Sequence, residues 1–363
     1  MKKTKVAIIF GGKSAEHEVS LQSARNVFDA IDREKYDPVL IGIDKSGKWL
    51  LSSSKDYLLN ADNPKGISLN RSKDRITFAP ESRGEISNIE SLQNSGSIDV
   101  AFPILHGPMG EDGTVQGFLK LANIPFVGSS VLGSAVGMDK DIMKRLLRDS
   151  GIPIGKFLTF TDDMEPLDFS VIVDLLGNPF FVKPANMGSS VGVSKVHDEE
   201  SYQAATKLAF SFDLKIIIEE FIEGREIECS VLGNRNPIAS VVGEILPNHD
   251  FYSYEAKYID ENGAKLEIPA MIPQDIANNA REIAVKTFKV LSAEGLGRVD
   301  MFLKQNGEVV VNEINTIPGF TKISMYPKLW EASGISYSDL IDRLIQLALE
   351  RFSKEKKLRT SYL

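Results

Sequence analysis

Residues 295–319 read GLGRVDMFLKQNGEVVVNEINTIPG, and Asn306-Gly307 at their centre is the strongest short-range signal for a two-residue hairpin turn between two strands. Pairing Gln305 with Glu308 across that turn sets Asp300 opposite Glu313 and Arg298 opposite Asn315. Residues two apart on a strand point the same way, so these four side chains share one face. Two carboxylates directly opposed repel each other and weaken a ladder. A bound divalent cation resolves that conflict, and the apolar run at 309–311 argues for a hairpin packed on a core rather than a solvated one. Hard oxygen donors with no nearby His or Cys point to Mg²⁺ or Mn²⁺, whose shells substrate phosphates usually complete.

The rest of the chain reads as α/β. MKKTKVAIIFGG at the start imitates a signal peptide, but its apolar run at 6–10 is too short for one and ends in Gly-Gly, so it reads as a buried first strand. A helix follows, with Leu21, Ala24, Val27, Phe28 and Ile31 at helical spacing behind a Ser20 cap, and then a second strand at 38–43. That is a βαβ unit with a parallel sheet. Residues 45–97 are a polar elaboration with no assignable function, and the first domain closes near Gly128. A short amphipathic helix at 138–150 stops at Gly151-Ile152-Pro153. Strands at 180–183 and 191–196 then flank the loop PANMGSS. Beyond them come a strand at 215–220, a polar segment at about 247–263, a long helix carrying Ile276, Ala280, Ile283, Ala284, Phe288 and Leu291, and the hairpin.

Composition narrows the function. With 42 Lys+Arg against 50 Asp+Glu the 363-residue chain carries a formal charge of −8, which argues against a nucleic-acid binder. The single cysteine, Cys229, excludes an internal disulfide and a thiolate zinc site and fits a reducing cytoplasm, while histidines at 17, 106, 197 and 249 form no HExxH. No stretch approaches the length of an apolar membrane span.

Two motifs mislead. Gly188-Ser189-Ser190-Val191-Gly192 matches a nucleophile elbow, but a strand-like VGVSKV follows where a helix is required. Gly12-Lys13-Ser14 ends like a P-loop, but Ala7 stands in place of its first glycine. The loop 183–196 instead reads as a small-residue turn that aims backbone N–H groups at a phosphate, with Lys183 adding a point charge. Glu219, Glu220 and Glu226 lie at strand ends suited to a ribose or an adenine amino group, although such acids alone are more often solvated surface.

GGKSAEHEVSL (11–21), LHGPMGEDGT (105–114), GMDK (137–140), VKPANMGSSVGVSKV (182–196), IEEFIEGREIE (218–228), YEAKY (254–258), GRVDMFL (297–303), NEINTIPGFT (312–321) and ISMYP (323–327), in this order, resemble the ATP-grasp superfamily and within it the D-alanine:D-alanine ligases. The resemblance implies a three-domain ATP-grasp fold: an N-terminal α/β substrate domain (1–128), a central subdomain with the phosphate loop (129–218), and a C-terminal subdomain with a lid and the metal hairpin (219–363). It implies that two D-alanines are joined through an acyl phosphate at the expense of ATP, for peptidoglycan precursor synthesis in the bacterial cytoplasm. Lys140 and Lys183 would contact ATP phosphates, with Ser189, Ser190, Lys257 and Phe302 also at the nucleotide, while Glu219, Glu220, Ile222 and Glu226 would line the adenine and ribose site. Asp300, Glu313 and Asn315 would hold two Mg²⁺ or Mn²⁺. Glu16 would receive the first D-alanine's ammonium with His106 nearby, Arg298 would stabilise the oxyanion, and Gly319 and Ser324 would meet substrate, Ser324 at the second carboxylate. Ser189 and Tyr258 would hydrogen-bond toward Glu16, with residues about 247–263 as the lid.

The rivals are a ligase making D-alanyl-D-lactate or D-alanyl-D-serine, and a nucleotide sensor that closes on ATP without turnover. Tyr258 resembles the dipeptide-forming type, and a sensor needs neither Arg298 nor Ser324. Small-molecule substrates, no nucleic-acid or membrane partner, and a homodimer are the family expectation; whether a monovalent cation assists is left open.

Overall fold

In the computed structural model, which describes residues 2–53, 56–61, 63, 66–70, 74–165, 167–247, 264–321 and 323–362, Thr4–Gly11 forms strand β1. Its residues 6–10 have no exposed surface, because the strand lies between two parallel neighbours. Helix α1 (His17–Ala30) and strand β2 (Tyr36–Ile43) complete the expected βαβ unit. Ser20 does not cap α1. Glu16 holds that position, and Ser20, one turn inside, accepts the Gly11 N–H at 2.8 Å and donates to the Ile104 carbonyl. Strand β3 (Trp49–Ser52) adds antiparallel to β2. The polar elaboration contributes short strands β4 (Leu58–Leu59), β5 (Ser68–Leu69), β6 (Ile76–Phe78), β7 (Glu85–Asn88) and β8 (Asn94–Ser97), which bury Leu69, Ile76, Phe78 and Ile86. Strand β9 (Val100–Pro103) then pairs parallel with β1 and completes the order β3-β2-β1-β9.

After helices α2 (Thr114–Leu121) and α3 (Val131–Met138), the helix expected at 138–150 forms as α4 (Lys140–Asp149). Asp139 separates α4 from α3, because its carboxylate accepts the Asp141 and Ile142 N–H groups at 3.1 Å and starts a helix there. Lys140 thereby sits in a first turn facing the site.

Strand β10 (Phe157–Thr161), helix α5 (Phe169–Leu176), strands β11 (Phe180–Pro184) and β12 (Ser194–Val196), helix α6 (Glu199–Phe210) and strand β13 (Lys215–Glu220) build an antiparallel sheet of order β10-β13-β11-β12. Strand β12 starts at Ser194, not at Val191. Ser189, Ser190 and Gly192 have φ of 52°, 60° and 71°, so the chain turns there instead of extending, and a Cβ on Gly192 would press on Pro184 and Phe212 at 2.8 Å. β13 belongs to this sheet through Glu220.

A five-stranded antiparallel sheet follows, of order β16-β15-β14-β17-β18: β14 (Arg225–Gly233), β15 (Ile238–Pro247), β16 (Ala264–Glu267), β17 (Gly295–Leu303) and β18 (Val309–Asn315). Its back face packs Ile227, Cys229, Val299, Met301 and residues 309 and 311 against Ala280, Ala284 and Phe288 of the helix Gln274–Val290 and against Met143 and Leu147 of α4. Its front face carries Glu226, Glu228, Arg298, Asp300, Glu313 and Asn315, by the alternation of paired strands. Asp300 does face Glu313 and Arg298 does face Asn315, through two departures that cancel. The loop has three residues, closed by Lys304 N–H to Glu308 O at 2.9 Å with Gly307 at φ 85°, and β18 carries one extra residue, Asn312, as a bulge. Helix Tyr337–Glu355 returns Leu340, Ile341, Leu344 and Ile345 to the core of the first sheet. Among the described residues no helix is long and apolar enough to cross a membrane.

Candidate active site

Two adjoining hollows lie between the first sheet, the phosphate loop and the front face of the five-stranded sheet, and Gly188, Ser189, Glu228, Ile245 and Glu313 line both. The first is a pocket of acids. Glu16 is 5% exposed at the start of α1 and receives a hydrogen bond from the Ser189 hydroxyl, so the first strand's loop and the phosphate loop meet as expected. Gly107 backs Glu16 closely, since a Cβ there, at φ 78°, would stand 2.7 Å from Oε2. Across the pocket Arg298 donates from Nε (2.7 Å) and Nη2 (2.8 Å) to the two oxygens of Asp300, and its Nε also lies 2.8 Å from Glu228. Asn315 donates to Asp300 at 2.9 Å. Ser324 opens the helix Met325–Ala332 and its hydroxyl accepts the Thr321 N–H at 3.0 Å, with Gly319 set against it because a Cβ there would come within 2.8 Å of that oxygen.

The second hollow is a cleft lined by Lys140, Lys144, Lys183 and Lys195 as well as by acids. Lys140 donates to the Met187 carbonyl at 2.7 Å and stands 3.2 Å from Glu313. Lys183 and Lys144 grip Glu219 at 2.5 and 3.0 Å. Burial pushes the Glu219 carboxyl up, but Lys144 and then Lys183 outweigh it and hold it down at about 2. Glu220 accepts the Lys156 N–H at 2.8 Å, and Ser190, Ile222, Glu226 and Phe302 complete the lining.

The sheet does not leave the opposed carboxylates to repel. Arg298 takes Asp300 and Lys140 takes Glu313, so each carboxylate has a cation beside it. Among the described residues no group of three or more His, Cys, Asp or Glu is drawn together as a metal cluster. The donor chemistry nonetheless suits a hard divalent ion, with two carboxylates and an amide on one face beside a lysine-lined cleft, once Asn315 turns its amide oxygen inward. Lys257, Tyr258 and the lid expected at about 247–263 lie outside the described residues, apart from the end of β15.

His106 lines the pocket, but both ring nitrogens already have protein partners, the Ile317 carbonyl at 3.0 Å and the Ser23 hydroxyl at 3.3 Å. Burial lowers it to about 4, so it is neutral at pH 7. Three residues escaped the sequence reading. Lys144 lies one turn beyond Lys140 on the face that α4 buries, and Glu228 lies two residues beyond Glu226 and opposite Asp300. Strand and helix spacing could have found both. The third, Glu111, stands in the quoted LHGPMGEDGT with one of its two backbone partners 206 residues away, and no local signal marks that one.

The chain matches a family model described as the D-ala D-ala ligase N-terminus over residues 5–129 and another described as the D-ala D-ala ligase C-terminus over residues 146–346. It is 56% identical over 361 residues to the D-alanine–D-alanine ligase of Oceanobacillus iheyensis, covering 99% of both chains. Among solved structures it is similar to the D-alanine-D-alanine ligase of Coxiella burnetii, with a TM-score of 0.85, 37% identity and coverage of 98% and 97%. It is also similar to a D-Ala:D-Ser ligase of Enterococcus faecalis, with a TM-score of 0.83, 39% identity and coverage of 96% and 100%.

Proposed function

The chain belongs to the D-alanine–D-alanine ligase family, an ATP-grasp enzyme family, and from that premise we propose how its own residues carry the reaction. The protein ligates two D-alanines with ATP as co-substrate, for cell-wall synthesis. The observation that carries the residue-level reading is the shared wall: a lysine-lined cleft and an acid-lined pocket meet at Ser189, Glu228 and Glu313, so a phosphate in one can reach a carboxylate in the other.

In this reading Lys140 and Lys183 exchange their carboxylate partners for ATP phosphates, and the turn at 188–190 offers its backbone N–H groups. Glu219, Glu220, Ile222, Glu226 and Phe302 receive adenine and ribose. Glu16 takes the ammonium of the first D-alanine, and Ser189, already bonded to Glu16, orients that carboxylate at the edge of the phosphate loop. The first carboxylate takes the γ-phosphoryl group from ATP and releases ADP; the second D-alanine's amine, once deprotonated, attacks the resulting acyl phosphate and expels inorganic phosphate while Ser324 and Gly319 hold its carboxylate. Arg298 stabilises the oxyanion, its guanidinium oriented beforehand by Asp300 and Glu228. Asp300, Glu313 and Asn315 would hold two Mg²⁺ or Mn²⁺. Such ions, when bound, neutralise the phosphate charge that must transfer.

We extend the proposal to domains bounded near 128 and 218, a homodimer, and a bacterial cytoplasmic location with small molecules as the only other partners. The net charge of −8 favours the absence of a nucleic-acid partner. The test is phosphate release with ATP, Mg²⁺ and D-alanine, with the product identified by mass spectrometry. D-Alanine-dependent phosphate release matched one for one by dipeptide is expected. Release that needs no D-alanine, or a product formed only when D-lactate or D-serine is added, overturns the reading.

A further inference from the structure

One buried carboxylate in the substrate pocket belongs to none of the roles above. Glu111 is 9% exposed and uses both oxygens on backbone: Oε2 accepts the Gly107 N–H at 2.7 Å and Oε1 accepts the Ile317 N–H at 3.3 Å. Ile317 lines the pocket itself, and Gly107 stands behind Glu16, which lines it too. Gly107 lies directly against the Glu16 carboxylate, and Ile317 leads through Pro318 into Gly319. His106, five residues earlier in the same loop, holds the Ile317 carbonyl at 3.0 Å, so a single loop grips both polar groups of that residue. Ser23 of α1 accepts the Phe320 N–H at 3.3 Å and carries the grip onward.

Resting on the proposed ammonium role of Glu16, we infer that Glu111 is a positioning residue that fixes the span between Glu16 and the wall at 317–319, and that this span limits the side chain the first site accepts. A carboxylate suits the task because it accepts from two N–H groups at once in a fixed geometry. Glutamine accepts only at its oxygen and turns an NH₂ against the second N–H; aspartate is one methylene short of spanning the gap. Burial first and the neighbouring Glu16 charge second push the Glu111 carboxyl up to about 8. A protonated carboxyl is the poorer double acceptor, and a substrate ammonium settling at Glu16 favours the ionised form. Substrate arrival and tightening of the bracket therefore reinforce each other.

The experiment is a competition. Full-length enzyme with ATP and Mg²⁺ receives equal D-alanine and D-2-aminobutyrate, one methylene longer, and the N-terminal and C-terminal residues of the dipeptides are read separately. In Glu111→Gln the share of N-terminal D-2-aminobutyrate relative to D-alanine rises about tenfold, the scale of one methylene in a close-fitting site. The C-terminal composition and ATP affinity stay as in the wild type, and the first-site KM rises more than kcat falls. Glu111→Asp, which keeps the charge, gives the same relaxation and stands in should the glutamine variant not fold. Unchanged N-terminal selectivity in both variants, or a fall in kcat alone, overturns the bracket. Glu16→Gln is run alongside. If it retains first-site KM, the reading of the pocket fails; if it loses affinity while the Glu111 variants keep wild-type selectivity, the bracket alone fails.

Discussion

Glu111 and Glu219 are the same residue type, both buried, in hollows that share a wall, and they titrate in opposite directions. Burial raises both. Glu111 then meets another acid and rises to about 8, whereas Glu219 meets two lysines and falls to about 2. Burial sets the upward sign at Glu111, and at Glu219 the two lysines reverse it. The proposed reading gives each hollow a different guest, an ammonium for the acid pocket and phosphate for the lysine cleft, whose cations rest on Glu219 and Glu313 rather than as uncompensated buried charge.

The comparison breaks first at the shared wall. Glu313→Gln keeps the shape of the side chain that Lys140 contacts and removes its charge. Turnover should fall at least about a hundredfold, the scale of losing one preorganised electrostatic partner. The apo fold should survive, because Asp300 is relieved of a repelling neighbour and keeps Arg298 and Asn315. Steady-state rates across a Mg²⁺ titration, beside thermal melts without metal, check this. Full activity at saturating Mg²⁺ would show that the two opposed carboxylates are not a working pair.

That pair was legible in the sequence, though for an imperfect reason. Asn306-Gly307 announces a turn, but the loop is one residue longer than expected and the bulge at Asn312 restores the register. Local chemistry fixes that a hairpin forms; the fit of 309–311 to the core fixes where the extra residue goes. The parallel opening strands and the amphipathic helices were readable because apolar period alone decides them. The helix expected at 138–150 formed within two residues of its expected start, where the Asp139 carboxylate caps it. Glu16 was reachable only through the family's motif, since an acid at a helix start is also what the helix dipole favours. Glu111 was out of reach, for its meaning lies in a peptide N–H that only the folded chain brings to it.

Stability against pH sharpens the comparison. Glu219→Gln leaves Lys144 and Lys183 facing one another with 3% and 14% of their side-chain surface exposed, and should cost about 3–5 kcal/mol, as for other broken buried pairs. Its depressed value means the wild type has this stabilisation above the ordinary value of 4.5 and loses it as pH falls from there toward 2. For Glu111 the sign reverses. The folded state holds the proton more tightly, so its contribution is whole below 4.5 and is lost as pH rises toward about 8. Denaturant unfolding across pH should therefore show Glu219→Gln flattening the acid limb below 4.5 and Glu111→Gln flattening the decline between 4.5 and about 8. Both variants flattening the same limb would refute the opposition.

The smallest effect tests whether burial is what gives these charges their weight. Lys195 lines the same cleft as Lys183 but lies partly in solvent, its ammonium 4.2 Å from the centre of the Phe221 ring, and that ring is itself 40% exposed. A solvated cation over a ring is worth about 0.5–1 kcal/mol. Lys195→Met should therefore lower apo stability by no more than about 1 kcal/mol, because the thioether still covers the ring while water screens the lost charge. Both pH limbs should keep their wild-type shape, since Glu219 retains Lys144 and Lys183. Nucleotide affinity should weaken modestly, and by less as salt is raised, as a rim charge acts through a screened field. Urea unfolding and ATP titrations at low and high salt read both quantities. A loss as large as that of Glu219→Gln, or a shifted acid limb, would mean that position along the cleft, rather than depth within it, sets what each lysine contributes.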